Sequence, residues 1–128
     1  MKFKIGELFS GPGGLSHGAI NARIPGNKSF KISHGWASDY DKDSCETYKK
    51  NIVGCKSDSI FLEDVRKLDI NLLPEIDCFA YGFPCNDFSL VGKQKGFDGE
   101  FGPLYTYGIK VLNKFNPKFF VAENVGGL

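Results

Sequence analysis

Three short segments of the chain hold residue types that covalent catalysis needs. Phe9-Ser-Gly-Pro-Gly-Gly14 is a glycine-rich turn near the start, Pro84-Cys85 supplies a thiol, and Glu123-Asn124 supplies a carboxylate and an amide near the end. Glycine lets the backbone approach a ligand, a thiolate is a nucleophile, and a carboxyl group can donate a proton. In this order the segments predict a nucleotide-like cofactor, a nucleophile and an acid.

Cys85 differs from the other cysteines because Asn86, Asp87 and Ser89 follow it and a glycine-rich segment with lysines comes next. It comes after an apolar stretch that is typical of a buried strand, and open α/β sheets place their sites at the carboxyl ends of strands. A single cysteine is more often a small buried apolar residue. That interpretation holds for the other three cysteines, and the four lack the Cys-x-x-Cys spacing of a zinc site. No metal is expected; the other cysteines are Cys45, Cys55 and Cys78.

Two carboxylates have both a functional and an ordinary interpretation. Glu123 follows the apolar residues 119–122, so we expect it at the same sheet edge as Cys85 and partly desolvated, which favours a usable acid. The alternative is a solvated acid. Asp39 follows a second predicted strand, where it can accept hydrogen bonds from ribose hydroxyls, or it can be an acid at a helix N-terminus. The glycine turn itself can also be an ordinary strand-to-helix turn.

Length and composition limit the class of protein. A chain of 128 residues suits one domain, and 41% hydrophobic with 24% charged residues is typical of a globular protein. The net charge of +1 neither requires nor excludes nucleic acid. The sequence holds no apolar run long enough to span a membrane and no secretory signal, so we expect free thiols and a cytoplasmic or nucleoid-associated protein.

Strand and helix patterns alternate along the chain. This alternation predicts an α/β domain with a largely parallel sheet. The segment from Gly82 to Gly102 is rich in glycine, lacks a clear element and is predicted to be a functional lid. Strands are predicted at residues 2–9, 30–38, 60–65, 76–81 and 118–123, and helices at 14–21, 41–51 and 104–115, with a helical turn at 68–73.

Taken together, these segments resemble the 5-cytosine DNA methyltransferases. The resemblance rests on Phe9-Ser-Gly-Pro-Gly-Gly-Leu15, on Gly82-Phe-Pro-Cys-Asn-Asp-Phe-Ser89 with Gly92-Lys-Gln-Lys-Gly-Phe97, and on Glu123-Asn-Val125. The matches run in order over nearly the whole chain. The resemblance implies a Rossmann-like sheet of about five strands that uses S-adenosylmethionine to methylate carbon 5 of cytosine.

The resemblance also implies roles for individual residues. Cys85 would attack carbon 6 of a flipped cytosine in double-stranded DNA, Glu123 would act at ring nitrogen 3, and Asn124 would position Glu123. Ser89, Lys93 and Gln94 would contact DNA, whereas Lys95 better fits a solvated loop. The cofactor roles fall on Phe9, Ser10, Gly11, Pro12, Gly14 and Leu15 of the turn, Asp39 (ribose), Tyr40 (adenine stacking), Asp64 and Val65 (adenine), and Pro84 and Leu104 (methionine end).

Three positions depart from the family pattern: Asn86 stands where glutamine is usual, Tyr40 where tryptophan is common and Asp39 where glutamate is common. The sequence also holds no Gln-x-Arg-x-Arg element and no recognition domain, so we expect residues 1–128 to be the N-terminal part of a catalytic domain with little activity alone. The fifth strand would then form an open apolar edge that pairs with a second copy or a complementary subunit. Two alternatives stay open: a non-catalytic cofactor- or partner-binding module, and an RNA cytosine methyltransferase.

Overall fold

The computed structural model describes residues 1–54, 58–84 and 104–124. Within these ranges a single five-stranded parallel sheet carries helices on its faces, which confirms the α/β prediction. The elements are β1 (Lys2–Leu8), α1 (Gly14–Ile20), β2 (Lys31–Asp39), α2 (Lys42–Tyr48), β3 (Ile60–Leu62), β4 (Cys78–Tyr81), α3 (Tyr105–Phe115) and β5 (Phe119–Ala122), with a π-helical segment at Lys49–Val53 and a 3₁₀ turn at Ile70–Leu72.

Several predicted boundaries differ from those in the structure. β3 ends at Leu62 instead of 65, and β4 begins at Cys78 instead of 76. The predicted second helix changes to π-helical hydrogen bonding at Lys49 and stops at Gly54, whose φ of 87° favours glycine. The apolar pattern marks what is buried, and burial continues beyond the residues that pair in the sheet. Ile76, for example, is buried just before β4 begins.

The strand order β3-β2-β1-β4-β5 places β1 at the centre of the sheet. The chain moves outward from β1 in one direction through β2 and β3, then returns to the other side of β1 with β4 and β5. The order therefore reverses between β1 and β4, and ligands of open α/β sheets bind outside the strand ends at such a point. The glycine turn after β1 and the segment that leads from β4 to Cys85 begin at this position.

The helices cover the two faces of the sheet unequally. On one face α3 packs against the rings of Trp36, Phe79 and Tyr81, and the Trp36 indole N–H donates to the Pro74 carbonyl at 3.0 Å. On the other face α1 and α2 cover β1 and β2. Cys78, expected in the core, is fully buried. The central strands are thus covered from both sides, as parallel sheets require.

β5 lies at the edge of the sheet and is poorly covered. It pairs with β4 in parallel, so that Phe120 is the register partner of Phe79. Phe79 is 1% exposed, whereas Phe119, Phe120 and Val121 are 41%, 52% and 49% exposed. The predicted open apolar edge is therefore present among the described residues.

Candidate active site

The turn between β1 and α1 is held in an unusual backbone conformation. Phe9 has a φ of 54° and Gly13 a φ of 107°, both in the left-handed region, which costs energy for phenylalanine. The turn is fixed to the end of β2, because the Ser10 N–H donates to the Ser38 carbonyl at 3.1 Å and the Gly11 N–H donates to the Asp39 carboxylate at 2.8 Å. These hydrogen bonds to the end of β2 therefore fix the shape of the turn.

One pocket gathers most of the predicted cofactor residues. It lies at the carboxyl ends of β1, β2 and β3 and has a volume of about 110 Å³. Pro84, which follows β4, lines it from the other side of the point where the strand order reverses. The ring of Tyr40 at its rim is 77% exposed, which leaves a flat apolar surface open for stacking. Seven predicted residues line it: Phe9, Asp39, Tyr40, Asp64, Val65, Pro84 and Leu104.

The Asp39 carboxylate connects this pocket to the turn. Besides the Gly11 N–H on one oxygen, its other oxygen accepts from the Asp41 N–H at 2.9 Å. Each carboxylate oxygen can accept more than one hydrogen bond, so a hydroxyl donor can still bind. The alternative role at a helix N-terminus belongs to Asp41, whose side chain accepts from the Ser44 N–H and whose pKa is lowered by that contact.

Asp64 is already engaged by a neighbour that the sequence interpretation missed. Arg66 donates to both carboxylate oxygens, with Nη2 to Oδ2 at 2.7 Å and Nε to Oδ1 at 3.0 Å. Hydrogen bonds from the Arg66 side chain and backbone lower the pKa of Asp64 to about 2. Any adenine contact through this carboxylate would share it with Arg66. Ser38 and Glu63 also line the pocket without having been predicted.

The remaining turn residues lie outside the pocket. Ser10 is buried and its hydroxyl donates to the Gly11 carbonyl, while Pro12 and Gly14 are exposed. Leu15 packs on the opposite sheet face against the cluster that contains Ile5. These residues shape the turn and do not contribute to the pocket wall, and the sequence alone did not separate these two roles.

Glu123 lies against the segment that leads to Cys85. A methyl group on Gly82 would come within 2.9 Å of a Glu123 carboxylate oxygen, so this carboxylate lies directly against the Gly82 backbone and would have to shift if residue 82 had a side chain. The Glu123 N–H donates to the Tyr81 carbonyl at 2.9 Å, extending the β4–β5 pairing. Of the two interpretations of Glu123, the structure agrees with the solvated acid, because the residue is exposed at the end of an edge strand. It lies at the same sheet edge as the end of β4, the strand that precedes Cys85 in the sequence.

Asn124 holds the next residue of the same segment by a hydrogen bond. Its side-chain amide donates to the Phe83 carbonyl at 3.2 Å, and the following residue, Pro84, lines the pocket. The structure thus brings β5 and the pocket together around residues 82–84. Cys85, Ser89, Lys93 and Gln94, and most of the predicted lid, lie outside the described residues.

Across the described ranges, no helix is long and apolar enough to cross a membrane.

Sequence comparison identifies one family over almost the entire chain. The sequence model of the C-5 cytosine-specific DNA methylases matches residues 3–128. The type II methyltransferase M.BbvI of Brevibacillus brevis is 52% identical over 135 residues, which cover 100% of this chain and 36% of that protein. The type II methyltransferase M.NgoFVII of Neisseria gonorrhoeae is 41% identical over 129 residues, covering 99% of this chain and 31% of that protein.

Structure comparison supports the same fold. The crystal structure of the S. pombe Dnmt2 methyltransferase superposes with a TM-score of 0.66 at 24% identity, covering 98% of this chain and 37% of that one. The chain therefore spans about a third of the length of the proteins that it matches.

Proposed function

Because the chain belongs to the C-5 cytosine-specific DNA methylase family, we propose that it supplies the cofactor- and thiol-bearing part of a DNA methyltransferase. The enzyme would transfer a methyl group from S-adenosylmethionine to carbon 5 of cytosine. As the relatives are type II methyltransferases, we place it in a restriction-modification system that acts on DNA in the cytoplasm or nucleoid.

The observation that carries this proposal is the position of Pro84. Pro84 lines the pocket of predicted cofactor residues and directly precedes Cys85 in the chain. On its other side, Gly82 and Phe83 contact Glu123 and Asn124. A cofactor pocket, a thiol and an acid are thus connected within a few residues, which is the arrangement that methyl transfer to an activated ring needs.

The pocket residues fit S-adenosylmethionine by their chemistry. Tyr40 offers a face for adenine, Asp39 offers carboxylate oxygens for ribose hydroxyls, and Val65, Pro84 and Leu104 offer apolar surface. The bound cofactor would supply the methyl group from its sulfonium, and breaking that sulfur–carbon bond would leave S-adenosylhomocysteine as the product.

Cys85 and Glu123 would prepare the cytosine for that transfer. The Cys85 thiolate forms a bond to carbon 6, while Glu123 donates a proton or hydrogen bond at nitrogen 3, so that the electron pair of the 5,6 double bond becomes available at carbon 5. After methylation, a base removes the carbon-5 proton, the double bond reforms and the thiolate leaves. Asn124 holds the Phe83 carbonyl and so positions this segment. The target base must leave the duplex to reach the thiol.

Residues 89–94 would contact the DNA around the flipped base. Ser89, Lys93 and Gln94 follow Cys85 within a few residues, and a lysine near phosphate makes binding sensitive to salt.

The exposed β5 edge supports a further part of the proposal: residues 1–128 are completed by polypeptide equivalent to the remaining two-thirds of the relatives. Three neighbouring apolar residues of β5 are about half exposed, and an open strand edge recruits a partner strand. We commit to a complementary methyltransferase segment as the occupant. A dimer of this chain by light scattering, with no effect of the complementary segment, would contradict this.

The test is covalent capture of cytosine. The chain, supplied with the C-terminal two-thirds of M.BbvI, is incubated with labelled cofactor and duplex DNA. We expect methyl incorporation, and crosslinking to a 5-fluorocytosine oligonucleotide, because fluorine at carbon 5 prevents the final elimination. Cys85→Ser should reduce incorporation by at least about a thousandfold and abolish the crosslink.

Two controls separate the alternatives. Cys78→Ala removes a buried thiol away from the pocket and should keep both signals. Full incorporation by Cys85→Ser would overturn the nucleophile assignment. Methyl incorporation into RNA in place of DNA would overturn the assignment of DNA as the substrate. Cofactor binding without any methyl incorporation would favour a non-catalytic module.

A further inference from the structure

A buried carboxylate lies directly beneath the cofactor turn, and the proposed chemistry does not use it. Glu7 is the penultimate residue of β1 and is 1% exposed. Its carboxylate accepts hydrogen bonds from the Ser16 hydroxyl and the Ser16 backbone N–H in the first turn of α1. The N-cap of α1 is Gly13, which has no side chain to bond the free amides. Glu7 therefore provides the cap from a neighbouring strand.

Glu7 is also the end of a hydrogen-bonded chain. The Tyr48 hydroxyl donates to the Ser16 oxygen at 2.9 Å, and His34 Nδ1 lies 3.0 Å from the Tyr48 oxygen. His34 Nε2 lies 2.7 Å from the hydroxyl of Ser59, which is only half-buried. We call these five residues the Glu7 chain. It crosses from the surface at Ser59 to the interior beneath the turn.

The donors of the Glu7 chain all point the same way. Tyr48 uses its one proton on Ser16, so its oxygen must accept from His34, which therefore carries its proton on Nδ1. Burial lowers the pKa of His34, which favours the neutral ring, and with the proton on Nδ1 the Nε2 atom accepts from Ser59. Successive donors thus lead to the Glu7 carboxylate, and a proton can pass in either direction when every hydrogen bond reverses.

Glu7 can change its charge near neutral pH. Burial raises its pKa from 4.5 to about 7, opposed by the Ser16 hydrogen bonds and assisted by the negative charge of Asp39 at the end of β2. The register neighbours of Glu7 in β2 and β4 are Ala37 and Ala80, which are uncharged. From α2 the facing ionisable group is Tyr48, whose pKa is raised by burial, so it stays neutral.

The Glu7 chain contacts the turn at two points. Ser16 lies in the first turn of the helix that the cofactor turn leads into. The ring of Tyr48 lies beneath Gly13, where a methyl group would come within 3.0 Å of it. We propose that Glu7 is a positioning residue for the cofactor turn, and that gain or loss of its proton changes the turn's conformation and its affinity for the cofactor. The affinity part rests on the proposed function.

The direction in which pH changes the cofactor affinity follows from charge. S-adenosylmethionine is a cation at its sulfonium, so the ionised carboxylate favours binding. We expect affinity to fall about fivefold from about pH 8 to about pH 6. By linkage, bound cofactor lowers the pH at which Glu7 and the conformation of the turn titrate.

The test has a ligand-free arm that does not depend on the proposed function. Backbone amide shifts of residues 11–16 are followed by NMR from about pH 5.5 to about pH 8.5 in the 128-residue chain. We expect them to titrate together near pH 7, to stop titrating in Glu7→Gln and to keep titrating in Glu75→Gln, which removes an exposed carboxylate before β4. Amides that titrate unchanged in Glu7→Gln overturn the inference.

Tyr48→Phe provides the second variant should Glu7→Gln not fold. It removes one donor to Ser16 and leaves the Ser16–Glu7 contact, so the midpoint should rise because the ionised carboxylate loses support. If Tyr48 has a purely structural role, the midpoint of the amide titration stays in place in Tyr48→Phe. An unchanged midpoint therefore contradicts a role for the Glu7 chain in the protonation of Glu7.

Cofactor titrations by calorimetry complete the experiment. The inference is supported if the wild-type affinity for the cofactor decreases as the pH is lowered and the affinity of Glu7→Gln does not change with pH. A wild-type affinity that is independent of pH overturns the affinity part of the inference. Absence of binding at every pH in every variant overturns the proposed function, while the amide titration still decides whether Glu7 positions the turn.

Discussion

Glu7 and Glu123 occupy equivalent places in the chain, since both lie at or just beyond the carboxyl end of a parallel strand, yet their surroundings are opposite. Glu7 belongs to the central strand, is 1% exposed and has its hydrogen bonds satisfied inside the protein. Glu123 follows an edge strand, is exposed and lies against the Gly82 backbone. The position of a strand within the sheet, more than the apolarity of its own sequence, decides whether a terminal carboxylate is buried.

The largest expected effect is on catalysis at the exposed carboxylate. In the enzyme completed with the M.BbvI segment, Glu123→Gln should lower methyl incorporation by about 10²-fold to 10⁴-fold, the usual contribution of a positioned acid. Because Glu123 is exposed, the free energy of unfolding should change by less than about 0.5 kcal/mol. Initial rates and urea unfolding measure the two quantities.

Gly82→Ala sharpens the same prediction without changing charge. The added methyl group would displace the Glu123 carboxylate, so the rate should fall while Glu123 is retained. A normal rate in both variants would show that Glu123 is not the acid.

The buried carboxylate should instead affect stability, and in a pH-dependent way. The pKa of Glu7 in the folded protein, about 7, lies above its ordinary value of 4.5, so the protonated form favours folding. This stabilisation is complete below about pH 4.5 and is lost as the pH rises through about 7, in total about 3 kcal/mol. Urea unfolding across this range should show that loss in the wild type and its absence in Glu7→Gln. If the free energy of unfolding depends on pH in the same way in both proteins, Glu7 is solvated and its pKa is not raised.

The contrast between these carboxylates also explains what the sequence revealed. Alternating patterns predicted the α/β sheet, and the resemblance predicted seven residues that line one pocket. Those inferences use local signals or motifs carried by consecutive residues. The Glu7 chain has no such signal, because Ser16 and Tyr48 are 32 residues apart and His34 and Ser59 are 25 apart. Only the folded sheet brings them together.

The sequence could not decide the state of Glu123 for a related reason. The apolar run 119–122 predicted a strand, and it left a desolvated and a solvated carboxylate both possible. Burial in a sheet depends on neighbours on both sides, and the described residues provide β5 with one neighbour only. Arg66 was missed for another reason: an exposed arginine two residues from Asp64 is ordinary in sequence, and only the geometry of the side chains shows that they pair.

The smallest expected effect is at Phe120 on the edge strand β5, and it is compared with the same residue type on the interior strand β4. Phe79 and Phe120 are register partners on β4 and β5, but they are 1% and 52% exposed. Phe79→Ala should reduce the free energy of unfolding by about 3 to 5 kcal/mol, because it removes a buried ring and leaves a cavity. Phe120→Ala in the isolated chain should cost less than about 1 kcal/mol, since half of the ring already contacts water. Urea unfolding of the dilute chain measures both changes. If the two costs are equal, a partner already covers β5, and adding the complementary segment should then bring no further stabilisation. If they differ as expected, the complementary segment should raise the cost of Phe120→Ala towards that of Phe79→Ala, because the edge becomes an interior position once it is paired.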